Sequence, residues 1–259
     1  MSAAAERARL VEALVALAEA AGAAIMPHYQ TELAVENKAD KSPVTAADRA
    51  ADKVILAGLA RLTPDIPAVT EEEVAEGRVP DISGGRFWLV DPLDGTKEFI
   101  AGRDEFTVNI ALIEDARPVL GVVGAPVSGV LYAASGPGAA TKRVGGRAPA
   151  PIRARPAPAE GLTVLTSRLH GNRPELDRFL EKFPVKEKLA AGSSLKFCWL
   201  AEGRGDLYPR FGPTNEWDTA AGHAVLTAAG GSVRTLDGAE LLYGKPDFHN
   251  PPFVARGRD

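Results

Sequence analysis

Two aspartates three residues apart, Asp91 and Asp94, close the apolar run Trp88-Leu89-Val90 and lead into Gly95, Thr96, Lys97, Glu98 and Phe99. Two carboxylates and a backbone carbonyl held at a strand end are oxygen donors suited to a hard cation such as Mg²⁺. Gly95 and Thr96 come next, and N–H groups at the start of a helix attract anions. A cation site beside an anion cradle points to chemistry on a phosphate.

Further acids stand at the ends of expected elements: Asp48 at a helix start, Glu71 and Glu72 after a strand, Asp218 at a later helix start. Taken singly, each has a plain structural role. Asp48 suits a helix cap, Glu71 to Glu73 a solvated acidic run, Asp218 a helix dipole, and Asp91 to Thr96 a turn. Brought together, they would repel by about 4 kcal/mol per pair at roughly 4 Å and an effective dielectric near 20. Such a cluster persists where it binds cations or takes up protons, and its all-oxygen character suits Mg²⁺.

The elements that must position these groups follow from the hydrophobic pattern. Leu10, Leu14, Leu17 and Ala21 recur at helical spacing in an Ala-rich opening that Gly22 and Pro27 are expected to end. Thr45 and Asp48 have the spacing of a capping box, and Ala51, Ile55, Gly58, Leu59 and Leu62 line one side of the helix behind it. Strands are expected at 66–70, 87–90 and 106–113, with a hairpin of 119–123 and 129–133 about Pro126. This describes a layered α+β first half and argues against a Rossmann fold. Residues 147–160, rich in Pro, Ala and Arg, are the expected crossing, their first part also compatible with an edge strand. Beyond it strands at 162–166, 185–189, 206–211 and 232–235 alternate with helices at 174–183, 194–202 and 217–229, the order of an α/β unit. The division expected is 1–155 and 156–259.

Composition narrows the classes. The chain has 259 residues, 45% apolar and 25% charged, with a net charge of −4, so nothing favours a nucleic-acid polymer or an anionic membrane. Glu6, Arg7, Arg9, Glu12 and Glu19 are expected to keep the Ala-rich opening, a helix, from spanning a bilayer. Cys198 is the only cysteine, and with no signal-peptide pattern a reducing cytoplasm is the expected compartment. Cys198 itself, between Phe197 and Trp199, is expected to pack. His28, His170, His223 and His249 are dispersed, which argues against zinc.

The motifs Asp91-Pro92-Leu93-Asp94-Gly95-Thr96, Glu71-Glu72, Val44-Thr45-Ala46-Ala47-Asp48 and Glu216-Trp217-Asp218 resemble those of the inositol monophosphatase superfamily, over roughly residues 10–253. Lys97-Glu98-Phe99, the stretch 192–197 and the stretch 201–210 resemble its CysQ-type 3′(2′),5′-bisphosphate nucleotidase branch. The resemblance implies an αβαβα sandwich with the active site between two sub-domains. It also implies Mg²⁺-dependent removal of the 3′-phosphate of adenosine 3′,5′-bisphosphate, giving AMP and phosphate.

By the same resemblance, Glu71, Asp91 and the Leu93 carbonyl hold one Mg²⁺. Asp91, Asp94 and Asp218 hold a second, with room for a third ion near Glu71 and Glu72. Asp48 and Thr96 activate water, and Glu72 is grouped with them as catalytic. Gly95 and Thr96 N–H groups bind phosphate, Ser193, Lys196 and Arg210 meet the second phosphate of the substrate, and Lys97 either joins them or balances Glu98. Lys196 on an exposed helix face and Arg210 in a surface ion pair are the plainer alternatives. Trp217 is expected to pack beneath the metal-binding loop. An inositol or sugar phosphatase with the same metal centre, and a silent ion- or nucleotide-binding protein, remain open alternatives. The resemblance tilts toward a monomer, with a dimer as the other state.

Overall fold

The computed structural model describes residues 3–30, 36–37, 43–168 and 174–258; residues 38–42 of the polar stretch and His170 lie outside them. Helix α1 (Ala3–Ile25) is followed by a 3-10 turn and the short strands β1 (Glu36–Asn37) and β2 (Pro43–Val44). Then come α2 (Ala46–Leu62), β3 (Ala68–Thr70), α3 (Glu71–Ala75), β4 (Arg86–Asp94) and α4 (Thr96–Ile100). Strands β5 (Thr107–Glu114), β6 (Arg117–Ala125), β7 (Val130–Ala134), β8 (Ala140–Val144) and β9 (Ala150–Pro151) complete a seven-stranded sheet in the order β3-β4-β5-β6-β7-β8-β9. Only the β3–β4 pair is parallel.

After the crossing come β10 (Leu162–Ser167), α5 (Pro174–Leu180), β11 (Val185–Ala191), α6 (Leu195–Ala201), β12 (Leu207–Arg210), α7 (Ala220–Ala228), β13 (Ser232–Thr235) and β14 (Phe253–Arg256). Their strands form a mixed sheet in the order β11-β10-β12-β14-β13.

Side-chain alternation builds the layers. Trp88, Val90, Val108, Ile110, Leu112, Leu120 and Val122 point to one face of the larger sheet and pack with Leu14, Leu17, Ile55 and Leu59 of α1 and α2. Their neighbours Phe87, Leu89, Ala111, Ile113 and Val123 pack with α6, α7 and the inner face of the smaller sheet. Leu176 and Leu180 of α5 cover that sheet's outer face at Leu162, Val164 and Leu207. The result is the expected αβαβα sandwich. Helix α7 is buried at every position but Thr227 because it is sandwiched between the sheets. A Cβ at Gly121 of β6 would stand 2.5 Å from the Ala221 carbonyl, so this glycine allows α7 to seat directly on the sheet.

Several boundaries differ from expectation. Gly22 does not end α1; it lies inside the helix against Pro126, and the helix gives way at Met26–His28 where Pro27 stands. Leu62, in the last position of α2, is exposed instead of joining its apolar side. Helix α5 stops at Leu180, and α7 starts at Ala220, leaving Asp218 in the turn before it. By length and composition Ala5–His28 is apolar enough to cross a membrane, so its charges alone do not exclude that. In this fold Leu14, Leu17, Ala18, Ala21 and Ile25 of that stretch are buried in the core. Arg155, on the crossing, donates through Nε (2.8 Å) and Nη2 (2.9 Å) to buried Asp206, which also accepts the Thr163 N–H at 2.7 Å.

Candidate active site

The expected cap at Thr45 forms, and it does more than start a helix. Asp48, 2% exposed, accepts the Thr45 N–H (2.8 Å) and hydroxyl (2.6 Å) on Oδ2, while the Thr45 oxygen accepts the Ala47 N–H. Its other oxygen, Oδ1, lies 3.3 Å from Thr96 Oγ1. Capping therefore holds one carboxylate oxygen and aims the other at the threonine. The Thr96 hydroxyl is also 3.2 Å from the Leu93 carbonyl, so its single proton has two acceptors within reach.

Strand β4 brings Asp91 and Asp94 to the same side by a bulge. Asp91 pairs with Asn109 and Asp94 with Thr107, so one extra residue is inserted between them. In a regular strand, positions three apart face opposite ways. The extra residue resets the alternation, leaving Leu93 in the core under α1 and α2 and both aspartates on the face toward α6 and α7. Pro92 suits the irregularity because it has no N–H to leave unpaired. Gly95, with φ at +94°, then turns the chain into α4.

The opposite wall comes from the smaller sheet and α6. The Ser194 N–H reaches Asp94 Oδ2 at 2.6 Å, and that oxygen also lies 3.2 Å from Asn109 Nδ2 and 3.5 Å from Thr107 Oγ1. Ser194 Oγ closes the network at 2.7 Å from Asn109 Oδ1 and 3.0 Å from Thr107 Oγ1. Lys196 is 4% exposed, which removes the exposed-helix-face alternative. Its ammonium donates to the Ala191 and Ser193 carbonyls and sits 5.3 Å from the Tyr208 ring centroid. Arg210 donates to the Pro213 carbonyl at 2.9 Å, not to a surface acid, while its buried Nε has no hydrogen-bond partner.

One cavity of about 390 Å³ is lined by Glu71, Asp91, Leu93, Asp94, Gly95, Thr96, Lys97, Ser193, Lys196, Arg210 and Asp218. Asp48 lies behind it, reaching it through Thr96. Glu72 does not line it; it is buried within α3 at 6% exposure. Burial pushes the Asp94 carboxyl up to about 6, with Glu98 adding to the rise, while Lys196, Asn109 and the Ser194 N–H oppose it. Burial, then Asp94 and Glu71, raise the Asp218 carboxyl well above the usual range. Lys196 is drawn down to about 8 by burial, against the pull of Asp94.

Among the described residues no three His, Cys, Asp or Glu side chains are gathered at metal-holding geometry. The acids instead share the cavity at mutually repelling range. An all-oxygen donor set in which burial, Asp94 and Glu71 raise the Asp218 carboxyl fits a hard divalent cation, which would relieve that repulsion.

A protein-family model described as the inositol monophosphatase family matches residues 6–256. The chain belongs to this family. It is 49% identical over 248 residues to the 3′(2′),5′-bisphosphate nucleotidase CysQ of Escherichia coli O6:H1, covering 94% of this chain and 98% of that protein. It is 42% identical to the protein of the same name from Buchnera aphidicola, covering 95% and 93%. Among solved structures, CysQ from Bacteroides thetaiotaomicron matches with a TM-score of 0.80 and 35% identity over 97% of this chain and 98% of that one. An inositol monophosphatase from Anabaena matches at 0.76 and 25%, over 96% and 91%.

In this inositol monophosphatase family member the structure also brings to the cavity, or beside it, residues that the motifs did not single out as a site. Thr107 and Asn109 of β5 face Asp94 and Asp91 in register. Two polar residues at alternate positions of an otherwise apolar strand were the available signal. His249 lines the cavity, its Nδ1 2.8 Å from Asn215 Oδ1. Glu216, fully buried, accepts the Gly244 and Lys245 N–H groups at 2.7 and 3.0 Å and so ties the loop bearing His249 to the Asp218 turn. Trp217 packs on Phe248 of that loop, with ring centroids 6.0 Å apart. Cys198 is fully buried and burial raises its thiol, consistent with packing.

Proposed function

We propose that this family member is a Mg²⁺-dependent 3′(2′),5′-bisphosphate nucleotidase that converts adenosine 3′,5′-bisphosphate to AMP and phosphate. The observation that carries this reading is a single cavity that joins the acids Glu71, Asp91, Asp94 and Asp218 and the Thr96–Asp48 pair to two inward cations, Lys196 and Arg210. The names of its CysQ relatives support the choice of substrate.

Glu71, Asp91 and the Leu93 carbonyl would hold one Mg²⁺; Asp91, Asp94 and Asp218 would hold a second. Bound there, Mg²⁺ lowers the pKa of water and neutralises charge on the leaving oxygen. Thr96 Oγ1 orients the attacking water and passes a proton to Asp48 Oδ1, whose partner oxygen stays fixed by Thr45. Gly95 and Thr96 N–H groups bind the scissile phosphate. Arg210 Nε, buried without a partner, and Lys196 meet the second phosphate, with the Ser193 hydroxyl beside them. Lys97, exposed at the cavity, adds positive charge there. Glu72 supports Glu71 from within α3 and bears on any third ion.

Residues 1–155 and 156–259 act as two sub-domains meeting at this cavity. A cytoplasmic monomer is the proposed state, supported by the single buried cysteine and the nucleotidase likeness; sedimentation of the purified protein checks the monomer.

Phosphate release from adenosine 3′,5′-bisphosphate and from inositol 1-phosphate, each with Mg²⁺, tests the reading. Preference for the inositol ester would replace it with an inositol phosphatase. No release from either would leave a silent binding protein. Lithium chloride should inhibit where matched sodium chloride does not; equal responses would mean ionic screening alone.

A further inference from the structure

A second cavity, about 340 Å³, shares no lining residue with the first. Its floor is apolar, formed by Val119, Ala224, Val233 and Leu241, and Arg7, Arg117 and Arg234 stand on its walls together with one acid, Glu240. Arg7 and Arg117 are paired with Glu114 and Glu240, whereas among the described residues the Arg234 side chain donates only to the Gly238 carbonyl. Arg7 Nε is buried and has no hydrogen-bond partner.

His223 also lines this cavity and is 8% exposed. Its Nδ1 is 2.9 Å from the Tyr243 hydroxyl, and no hydrogen bond engages Nε2 among the described residues. Burial lowers the ring to about 3, so at neutral pH it offers one uncharged donor or acceptor to whatever enters. The Tyr243 hydroxyl is in turn 3.2 Å from Thr219 Oγ1, and Thr219 lines the active-site cavity beside Asp218. A buried relay, His223–Tyr243–Thr219, therefore connects the two cavities along the first turns of α7.

We propose that the second cavity is a regulatory site for a small amphipathic anion, a compact apolar or aromatic body carrying one carboxylate or phosphate-like group. The body rests on the apolar floor, the anion meets the arginines, and contact with His223 is transmitted through Tyr243 to Thr219 and the Asp218 turn. The size suits such a molecule, since ligand cavities are typically about 300–1,000 Å³.

Calorimetric titration of the full-length protein with 2-naphthoate, 2-naphthylphosphonate and the neutral isostere 2-naphthamide tests the site without reference to activity. Both anions, or the one whose headgroup the site prefers, should bind about tenfold or more tightly than the amide. Thr227→Trp, which fills the cavity from an exposed position, and Arg234→Ala should each weaken binding about tenfold while leaving melting unchanged. The bound anion should change turnover about twofold or more, and that change should vanish in Tyr243→Phe.

Absence of binding at millimolar concentration, equal binding of the amide, or binding indifferent to both variants would overturn the site. Competition with substrate that persists in Thr227→Trp would place the anion in the first cavity and do the same. Binding that leaves turnover unmoved would overturn the regulatory role. Since the titration needs no catalysis, failure of the proposed nucleotidase activity would be seen separately.

Discussion

Asp48 is placed to serve both stability and the proposed chemistry, because its two oxygens have different partners. Oδ2 caps α2 through Thr45, and Oδ1 faces Thr96. Asp48→Asn keeps an acceptor for the cap but loses the proton acceptor. Turnover should fall by about 10²–10⁴-fold, while stability drops by no more than about 0.5–2 kcal/mol. Steady-state rates and thermal melting on the same preparation separate the two effects; an active, destabilised variant would reduce Asp48 to a cap. His223 gives a pH signature of its own. Its folded pKa, about 3, lies below the ordinary 6.5, so below pH 6.5 the unfolded chain binds a proton that the native chain refuses. Stability from this group is complete above pH 6.5 and is lost as pH falls toward 3, at about 1.4 kcal/mol per pH unit. His223→Gln should show a shallower decline in urea-unfolding free energy across that window.

At the scale of elements, the motifs of β4 and α4 were legible because Asp, Pro, Gly and Thr have strong local preferences. The bulge between Asp91 and Asp94 was not legible, since it is defined by the register of β4 against β5. Strand β14 is a four-residue run after two prolines, and Thr141, Lys142 and Arg143 of β8 carry no apolar alternation, so neither strand stands out in the sequence. The start of α7 lies three residues later than its pattern suggests, because Trp217 and Asp218 fit a helical pattern but occupy the turn that presents Asp218. The Ser194–Asn109–Thr107 network depends on contacts between distant elements, which no local pattern encodes. Ser194→Ala removes its hydroxyl and leaves two buried polar partners short of a bond, at about 1–3 kcal/mol. Although the Ser194 N–H still holds Asp94, Asn109 and Thr107 contact the same carboxylate and lose their anchor, so affinity for Mg²⁺, followed by activity against metal concentration, should weaken about tenfold or more, as for other lost outer contacts of a metal site. Unchanged metal dependence would make the network purely a packing device.

For the whole molecule, the cluster of acids sets a balance between stability and cation occupancy. Chelation with EDTA should abolish hydrolysis, and returning Mg²⁺ at about 100 times its dissociation constant should restore it and raise stability by about 2.7 kcal/mol. A melting temperature indifferent to Mg²⁺ would mean that the acids do not bind it in the folded state. The layer order was foreseeable from the switch between strand-rich and alternating halves; the docking of the halves was not. Their junction includes the hydrogen bond from Ser194 to Asp94, which spans a hundred residues of chain. Closing so long a loop has a large entropic cost that only native packing repays. The proposed catalytic centre thus depends on a contact between distant parts of the chain, so a nascent chain released before Ser194 emerges carries the acids of the first sheet without the partner that fixes Asp94.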